Sequence, residues 1–158
     1  MPRYCNIGAA KTRQEQTDRT NGEFKLTPQN EKRFTILAKS IGQASAVMTT
    51  ENPKTAEAVW NALPIKQSGN RWGDEIYFST PVSLSEENSR AEVEIGSIAY
   101  WPPGKALCIF FGSTPASRGD EPRAASPVNV FAKVVGDATI FRKFRDGDQV
   151  SVVKPSTS

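Results

Sequence analysis

The alternation of apolar and polar residues predicts a chain built mainly of short β-strands. Residues 34–38 and 44–48 alternate in this way on either side of Gly42, which indicates a β-hairpin. The run at 106–111 is apolar throughout and is typical of a central strand. Further strands, separated by glycines and prolines, are predicted at 65–68, 75–82, 91–95, 97–101, 128–135 and 149–153.

Two segments have the pattern of helices. The first begins at Asn52-Pro53, because Asn is a favoured N-cap residue and Pro fits the first helical position, and it ends at Pro64. Its apolar residues form one face: Ala56, Val59, Trp60 and Leu63. The second follows a capping Asp137 and ends before Gly147. Its apolar side chains are Ile140, Phe141 and Phe144.

The order of these elements favours one antiparallel domain. The strands come in runs with helices inserted singly, unlike the regular strand–helix alternation of parallel sheets. A closed barrel removes the exposed edges of such a sheet. The predicted fold class is therefore mainly β, a closed antiparallel barrel of about eight strands capped by two short α-helices. The barrel domain spans 32–154, residues 155–158 form a tail, and the polar segment 1–31 is predicted to be a disordered extension.

The composition narrows the possible chemistry. The sequence contains no histidine, which excludes a Ser-His-Asp or Cys-His nucleophile system and any histidine-ligated metal. The two cysteines, Cys5 and Cys108, form no Cys-x-x-Cys motif, so a structural zinc site has no ligands. No cofactor or metal is therefore expected. These features, with no secretory signal at the N-terminus, favour a cytoplasmic protein in which Cys108 is a buried thiol.

Neither nucleic acid nor a membrane is an expected partner. The net charge is +3, from 20 Lys and Arg against 17 Asp and Glu. The densest basic cluster, at 142–145, is followed at once by Asp146 and Asp148 and is interpreted as a solvated helix end. No run approaches the ~18 apolar residues that a membrane-spanning helix requires.

Three segments are unusual for a domain with a purely structural role. Trp72 stands in a Gly-containing loop at 70–75, and 100–104 is an aromatic-proline turn, Tyr-Trp-Pro-Pro-Gly. The connection at 112–127 contains three prolines and no periodic pattern. Loops of this length are usually functional or disordered, and the prolines and small residues indicate a fixed path, so 112–127 is either an ordered loop packed over the barrel or a binding loop.

Several charged or reactive side chains allow two interpretations. Arg71 either forms a salt bridge with Asp74 or Glu75 that ties down its loop, or is held near Trp72 and presented to a carbonyl or carboxylate. Cys108 lies in an apolar run without a nearby base and is interpreted as inert. Paired carboxylates for glycoside chemistry would come from Asp74, Glu75, Asp120 and Glu121, with nothing else in support of a sugar site.

Four segments resemble the small prokaryotic cyclophilin-like family: Asn-Arg-Trp-Gly-Asp-Glu-Ile-Tyr-Phe at 70–78, Ala-Tyr-Trp-Pro-Pro-Gly at 99–104, Cys-Ile-Phe-Phe-Gly at 108–112 and Ala-Ala-Ser-Pro-Val-Asn-Val at 124–130. The resemblance covers about 32–154 and implies the eight-stranded barrel of the cyclophilins. The true isomerases use an arginine, phenylalanine, glutamine, tryptophan and histidine set, and this chain has no histidine. Related barrels are parts of enzymes that hydrolyse small ring amides with partner subunits.

Three functions are compatible with these observations. The first is a module that binds a small ligand or a peptide, or that assists an enzyme. The second is a non-standard peptidyl-prolyl isomerase in which Arg71 is the catalytic donor. The third is a structural module that forms a homodimer. The candidate ligand-binding residues are Arg71, Trp72, Glu75, Tyr77, Tyr100, Phe110 and Pro115.

Overall fold

The structure is a computed structural model that describes residues 32–155. The extension predicted at 1–31 and the last three residues of the predicted tail lie outside the described residues. The strands are β1 Arg33–Ala38, β2 Gly42–Met48, β3 Ile65–Ser68, β4 Asn70–Arg71, β5 Glu75–Ser79, β6 Arg90–Glu92, β7 Ser97–Trp101, β8 Ala106–Phe110, β9 Arg123–Val134 and β10 Gln149–Val153. The helices are α1 Pro53–Ala62 and the 3-10 helices Pro102–Gly104 and Ala138–Lys143. None of the helices within 32–155 is long and apolar enough to cross a membrane.

The strands form one antiparallel sheet in the order β3-β10-β1-β2-β9-β7-β8-β5-β4, with β6 paired to the first part of β9. The mainly β, antiparallel architecture is therefore as predicted. The predicted closed barrel of eight strands is not observed, because the sheet has ten strands and no ladder joins β3 to β4. These two end strands are separated in the chain only by Gly69, so the sheet rolls up until its ends are covalent neighbours.

Several strand bounds differ from the prediction: the strand predicted at 75–82 ends at Ser79, and the one predicted at 91–95 is Arg90–Glu92. For β4 and β9 the reason is identifiable. Strand β4 has only two residues, which is too short for an alternating pattern to be recognised. Strand β9 begins at Arg123, before Pro127, although proline argues against a strand interior. The pairing of β9 with β6 shifts register between Arg123 and Val128, and such an irregularity accommodates a proline.

The first helix begins at Pro53 as predicted, ends at Ala62, two residues before the predicted Pro64, and has a different cap. The Asn52 side chain makes no capping bond to α1; it donates to the Val130 carbonyl and accepts from the Asn88 amide. The carboxylate of Glu87 instead accepts from the amides of Lys54 and Thr55 at the helix start. Asn52 thus connects α1 to the sheet, while another segment satisfies the free amides of the helix.

The second predicted helix is a 3-10 helix, not an α-helix. The Asp137 side chain accepts from the Thr139 amide, so the predicted cap is present. The helical segment has only six residues before Phe144 turns extended. Forming the first turn of an α-helix costs free energy, and a six-residue segment is too short to offset this cost. The segment therefore adopts the tighter 3-10 helix.

The sheet has an apolar core on each face. Successive side chains of a strand point to opposite faces, so Ile109 packs in the main core while Cys108 and Phe110 face the other way. The main core is enclosed by the rolled sheet and the helices and includes Phe34, Ile76, Phe78, Ile98, Tyr100, Phe131 and Phe141. The smaller second core consists of Val93, Ala99, Cys108, Phe110, Ala124, Val128 and Val130. Burial on both faces explains why the run at 106–111 is apolar throughout, as expected for a central strand.

The loop before β9 is ordered by its own hydrogen bonds. The Thr114 hydroxyl donates to the Arg123 carbonyl, and the Ser117 hydroxyl donates to the Glu121 carbonyl. The Glu121 carboxylate accepts from two backbone amides, including that of Arg118, and pairs with Arg123 at 3.2 Å. These bonds hold the backbone on one path, which agrees with the ordered-loop interpretation of this segment.

Candidate functional site

A cavity of about 250 Å³ opens beside the second core. Strands β5, β7, β8 and β9, together with the loop before β5, supply its walls. The lining residues are Trp72, Glu75, Tyr77, Trp101, Cys108, Ala124, Ala125 and Val128. Ala125 is exposed and marks the mouth, whereas Cys108 is buried at the inner end.

The strand register brings the lining residues together. Glu75 and Tyr77 are two residues apart on β5 and therefore point to the same face of the sheet. Tyr77 lies opposite Cys108 on β8, and Glu75 lies opposite Phe110. Trp101 ends β7, the next strand along, and its ring stands at the rim of the same face.

Glu75 is the single charged side chain in this lining among the described residues. It is 5% exposed, and its Oε1 atom has no hydrogen-bond partner. Burial raises the pKa of the Glu75 carboxyl from its ordinary value of 4.5 to about 7, against a smaller opposing effect of the hydrogen bond from the Cys108 thiol. Glu75 therefore gains and loses its proton near neutral pH.

Cys108 is suited to donate a hydrogen bond to Glu75 but not to act as a nucleophile. Burial, and then the neighbouring Glu75 charge, raise the pKa of its thiol well above the ordinary range. The thiol therefore stays protonated at neutral pH, and the thiolate is the nucleophilic form of cysteine. This agrees with the interpretation of Cys108 as a buried, inert thiol.

The turn after β7 fixes the ring of Trp101. Its indole Nε1–H donates to the Ser126 hydroxyl at 2.6 Å. A side chain at Gly104 would begin 2.5 Å from the Trp101 ring, so only glycine lets the Pro-Pro-Gly turn lie against this face of the indole. Because its N–H is already used, Trp101 presents an aromatic face and not a donor to the cavity.

The structure brings together three of the predicted ligand-binding residues, Trp72, Glu75 and Tyr77. Tyr100 points into the main core, where its hydroxyl donates to the Val82 carbonyl at 2.7 Å.

The other predicted residues lie near the cavity without lining it. Phe110 is fully buried in the second core, next to the cavity wall. Pro115 lies against Gly73, where a side chain would begin 2.8 Å from the proline Cδ. Sequence reasoning missed the lining residues Trp101, Cys108, Ala124, Ala125 and Val128. The available signal was strand phase, since Trp101 is an even number of residues from Ala99 in the second core.

Arg71 does not line the cavity. Its guanidinium donates to the carbonyls of Gly73, Arg142 and Phe144 at 2.8–3.0 Å and forms a 3.0 Å salt bridge with Asp74. Arg71 thus ties the loop at 70–75 to the C-terminal 3-10 helix, in line with the salt-bridge interpretation. In the isomerase hypothesis, Arg71 donates a hydrogen bond to a substrate amide. The four contacts already use the N–H groups that this role would require.

Within the described residues, no group of three or more Cys, Asp or Glu side chains is placed to hold a metal ion.

Comparison with known proteins identifies the family. A family model described as cyclophilin-like matches residues 32–153. A hypothetical protein from Archaeoglobus fulgidus, known from a solution structure, is 43% identical and superposes with a TM-score of 0.67; the match covers 79% of this chain and 95% of that one. The sequence matches no curated protein. The chain, which carries its cavity on the outer face of a rolled antiparallel sheet, therefore belongs to the cyclophilin-like family.

Proposed function

We propose that this protein binds a small, largely apolar molecule in the cavity beside the second core, with Glu75 recognising a polar group on that molecule. The observation that carries the proposal is the Glu75 Oε1 atom, which is buried and has no hydrogen-bond partner. Buried polar atoms in folded proteins are nearly always paired with protein, ordered water or a ligand, so an atom without a protein partner that faces a cavity is where a polar group of a ligand would bind. A buried carboxyl with a raised pKa in a cleft is also typical of functional sites.

The size of the cavity favours a small ligand over a peptide. The cavity has a volume of about 250 Å³. Sites for drug-sized molecules usually have about 300–1,000 Å³. The small-ligand form of the binding function is therefore better supported than peptide binding, and a metabolite in the cytoplasm is the kind of ligand we propose.

The three tryptophans make the proposal testable by NMR. Trp72 and Trp101 line the cavity. Trp60 lies on α1, where the Nζ atom of Lys154 is 4.9 Å from the centre of the Trp60 ring. A panel of small neutral, cationic and anionic molecules is titrated into the full chain, and the indole N–H signals are followed. We expect saturable shifts of the Trp72 and Trp101 signals and no shift of the Trp60 signal.

Two variants separate cavity binding from surface binding. Ala125→Phe places a ring at the exposed mouth and should abolish the shifts without disturbing a buried residue. Ser45→Phe adds the same ring at an exposed position on β2 and should leave them unchanged. A panel that leaves both cavity tryptophans unshifted, or shifts that persist in Ala125→Phe, would contradict the proposal.

A further inference from the structure

We propose that the ligand of this cavity is a small alkylammonium ion that donates an N–H to the Glu75 carboxylate and lies against the faces of Trp72, Tyr77 and Trp101. This inference rests on the proposed function and adds the charge of the ligand and the hydrogen bond that it donates. It follows from three properties of the lining: an unpaired acceptor, the absence of a protein counter-charge, and an aromatic wall.

No protein donor reaches the Oε1 atom of Glu75 among the described residues. The Trp101 N–H is bonded to Ser126 and is not available to it. A ligand N–H placed beside Oε1 would supply the missing hydrogen bond.

No protein cation neutralises Glu75 from the walls of the cavity. Neither lysine nor arginine occurs in the described lining. The two arginines adjacent to lining residues are committed elsewhere: Arg71 pairs with Asp74, and Arg123 pairs with Glu92 and Glu121 at 3.0 and 3.2 Å. A bound cation would supply the missing counter-charge, and its desolvation would be offset by the carboxylate.

The remaining walls suit a cation better than a neutral alkyl group. Aromatic faces attract ammonium ions through the ring quadrupole, most strongly at tryptophan. Two of the three aromatic lining residues are tryptophans, and the N–H of Trp101 is turned to Ser126. Methyl groups on the ammonium fill the apolar part of the lining, which Ala124 and Val128 provide.

Four probes of similar size isolate these properties in the full chain. Trimethylammonium has the positive charge and one N–H, tetramethylammonium has the charge without a donor, tert-butyl alcohol has a donor without the charge, and pivalate has the opposite charge. Each is titrated at constant ionic strength and pH 8, above the Glu75 pKa of about 7, with the tryptophan N–H signals as the readout. We expect trimethylammonium to bind at least about tenfold more tightly than the other three, because hydrogen bonds to charged groups are the strong ones.

The variants and the pH profile test the role of Glu75. Glu75→Gln should weaken trimethylammonium at least about tenfold, and Glu57→Gln, an exposed carboxylate on α1, should not. Affinity in the unmodified chain should fall about tenfold per pH unit below the Glu75 pKa. The other titratable groups facing Glu75 are Cys108 on β8 and Tyr77 on β5; the remaining described lining carries none.

The possible failures have different meanings. Equal binding of tert-butyl alcohol, or preference for pivalate, would overturn the inferred charge and leave a small-molecule site in place. Trimethylammonium binding that is unchanged in Glu75→Gln would overturn the role of the carboxylate. No shift with any of the four probes would overturn the inference, while the wider panel under "Proposed function" decides separately whether the cavity binds small molecules.

Discussion

Glu75→Gln is expected to remove most of the pH dependence of stability between about pH 5 and pH 8. Burial raises the pKa of the Glu75 carboxyl from 4.5 to about 7 in the folded chain. At about 1.4 kcal/mol per pH unit, this difference corresponds to about 3 kcal/mol in the free energy of unfolding. Glutamine has the same shape and no charge, so it keeps the packing while eliminating the ionisation.

The direction in which the free energy of unfolding changes with pH follows from the number of protons bound by the folded and unfolded states. Between pH 4.5 and about 7, the carboxyl is protonated in the folded chain and ionised in the unfolded chain. The folded state then binds more protons, so the free energy of unfolding falls as pH rises through this range and is level above it. The stability contributed by the protonated carboxyl is full below pH 4.5 and lost above about 7. The pKa values of the Glu87, Asp137 and Asp148 carboxyls are lowered, so these groups affect stability below this pH range.

The sequence makes this measurement unusually clean, because it contains no histidine. Urea unfolding of the unmodified chain, Glu75→Gln and Glu57→Gln is measured in steps from about pH 5 to pH 8. We expect the unmodified chain and Glu57→Gln to lose up to about 3 kcal/mol relative to Glu75→Gln over this range. Parallel pH profiles for the unmodified chain and Glu75→Gln would refute the reasoning, since they would mean that Glu75 ionises in the folded state as it does in water.

Three further predictions concern residues around the site and the sheet. Arg71→Lys should lower the free energy of unfolding by about 1–3 kcal/mol, because two of its carbonyl partners lose their donors; probe affinity at the cavity, measured by NMR, should not change. Asn52→Ala should cost about 2–3 kcal/mol in urea unfolding, because it leaves a buried carbonyl of Val130 unsatisfied. The thiol of Cys108, which is 2% exposed, should react with a disulfide reagent only as fast as the protein unfolds, in a stopped-flow or absorbance assay.

Much of the fold could be predicted because local patterns and burial agree there. The strands at 97–101 and 149–153 have the predicted bounds, since each alternates between the sheet faces and ends at a turn. The start of α1 at Pro53 was predicted from the proline and the preceding asparagine. The 3-10 form of 138–143 follows from the length of the segment, which the apolar pattern does not report. The passage of β9 through Pro127 depends on its pairing with β6, which no local pattern reports.

The composition of the site was harder to predict, because both faces of the central sheet are apolar. On β7, Tyr100 faces the main core and Trp101 faces the cavity, yet both are large aromatic residues next to apolar neighbours. Alternation predicts that adjacent residues point to opposite faces but does not say which face carries the site. Glu75 could in principle be recognised as a candidate, since a carboxyl within the strand at 75–79 lies either on a solvated face or at a buried position that requires a binding partner.

The Glu75 carboxyl accounts for both the expected pH dependence of stability and the proposed binding. Glu75 is the one buried carboxyl among the described residues, whereas the buried side chains of Asn52 and Asn129 have hydrogen-bond partners. A glutamine or an apolar residue at this position would avoid the cost of ionising a buried group at neutral pH. Stability alone therefore gives no reason for a glutamate here, whereas a ligand that donates to Oε1 and carries a positive charge removes the cost at the moment it binds. The cavity beside Glu75 provides the space for such a ligand. Binding relieves the free-energy cost of ionising the buried carboxyl, and this relief adds to the affinity for the ligand.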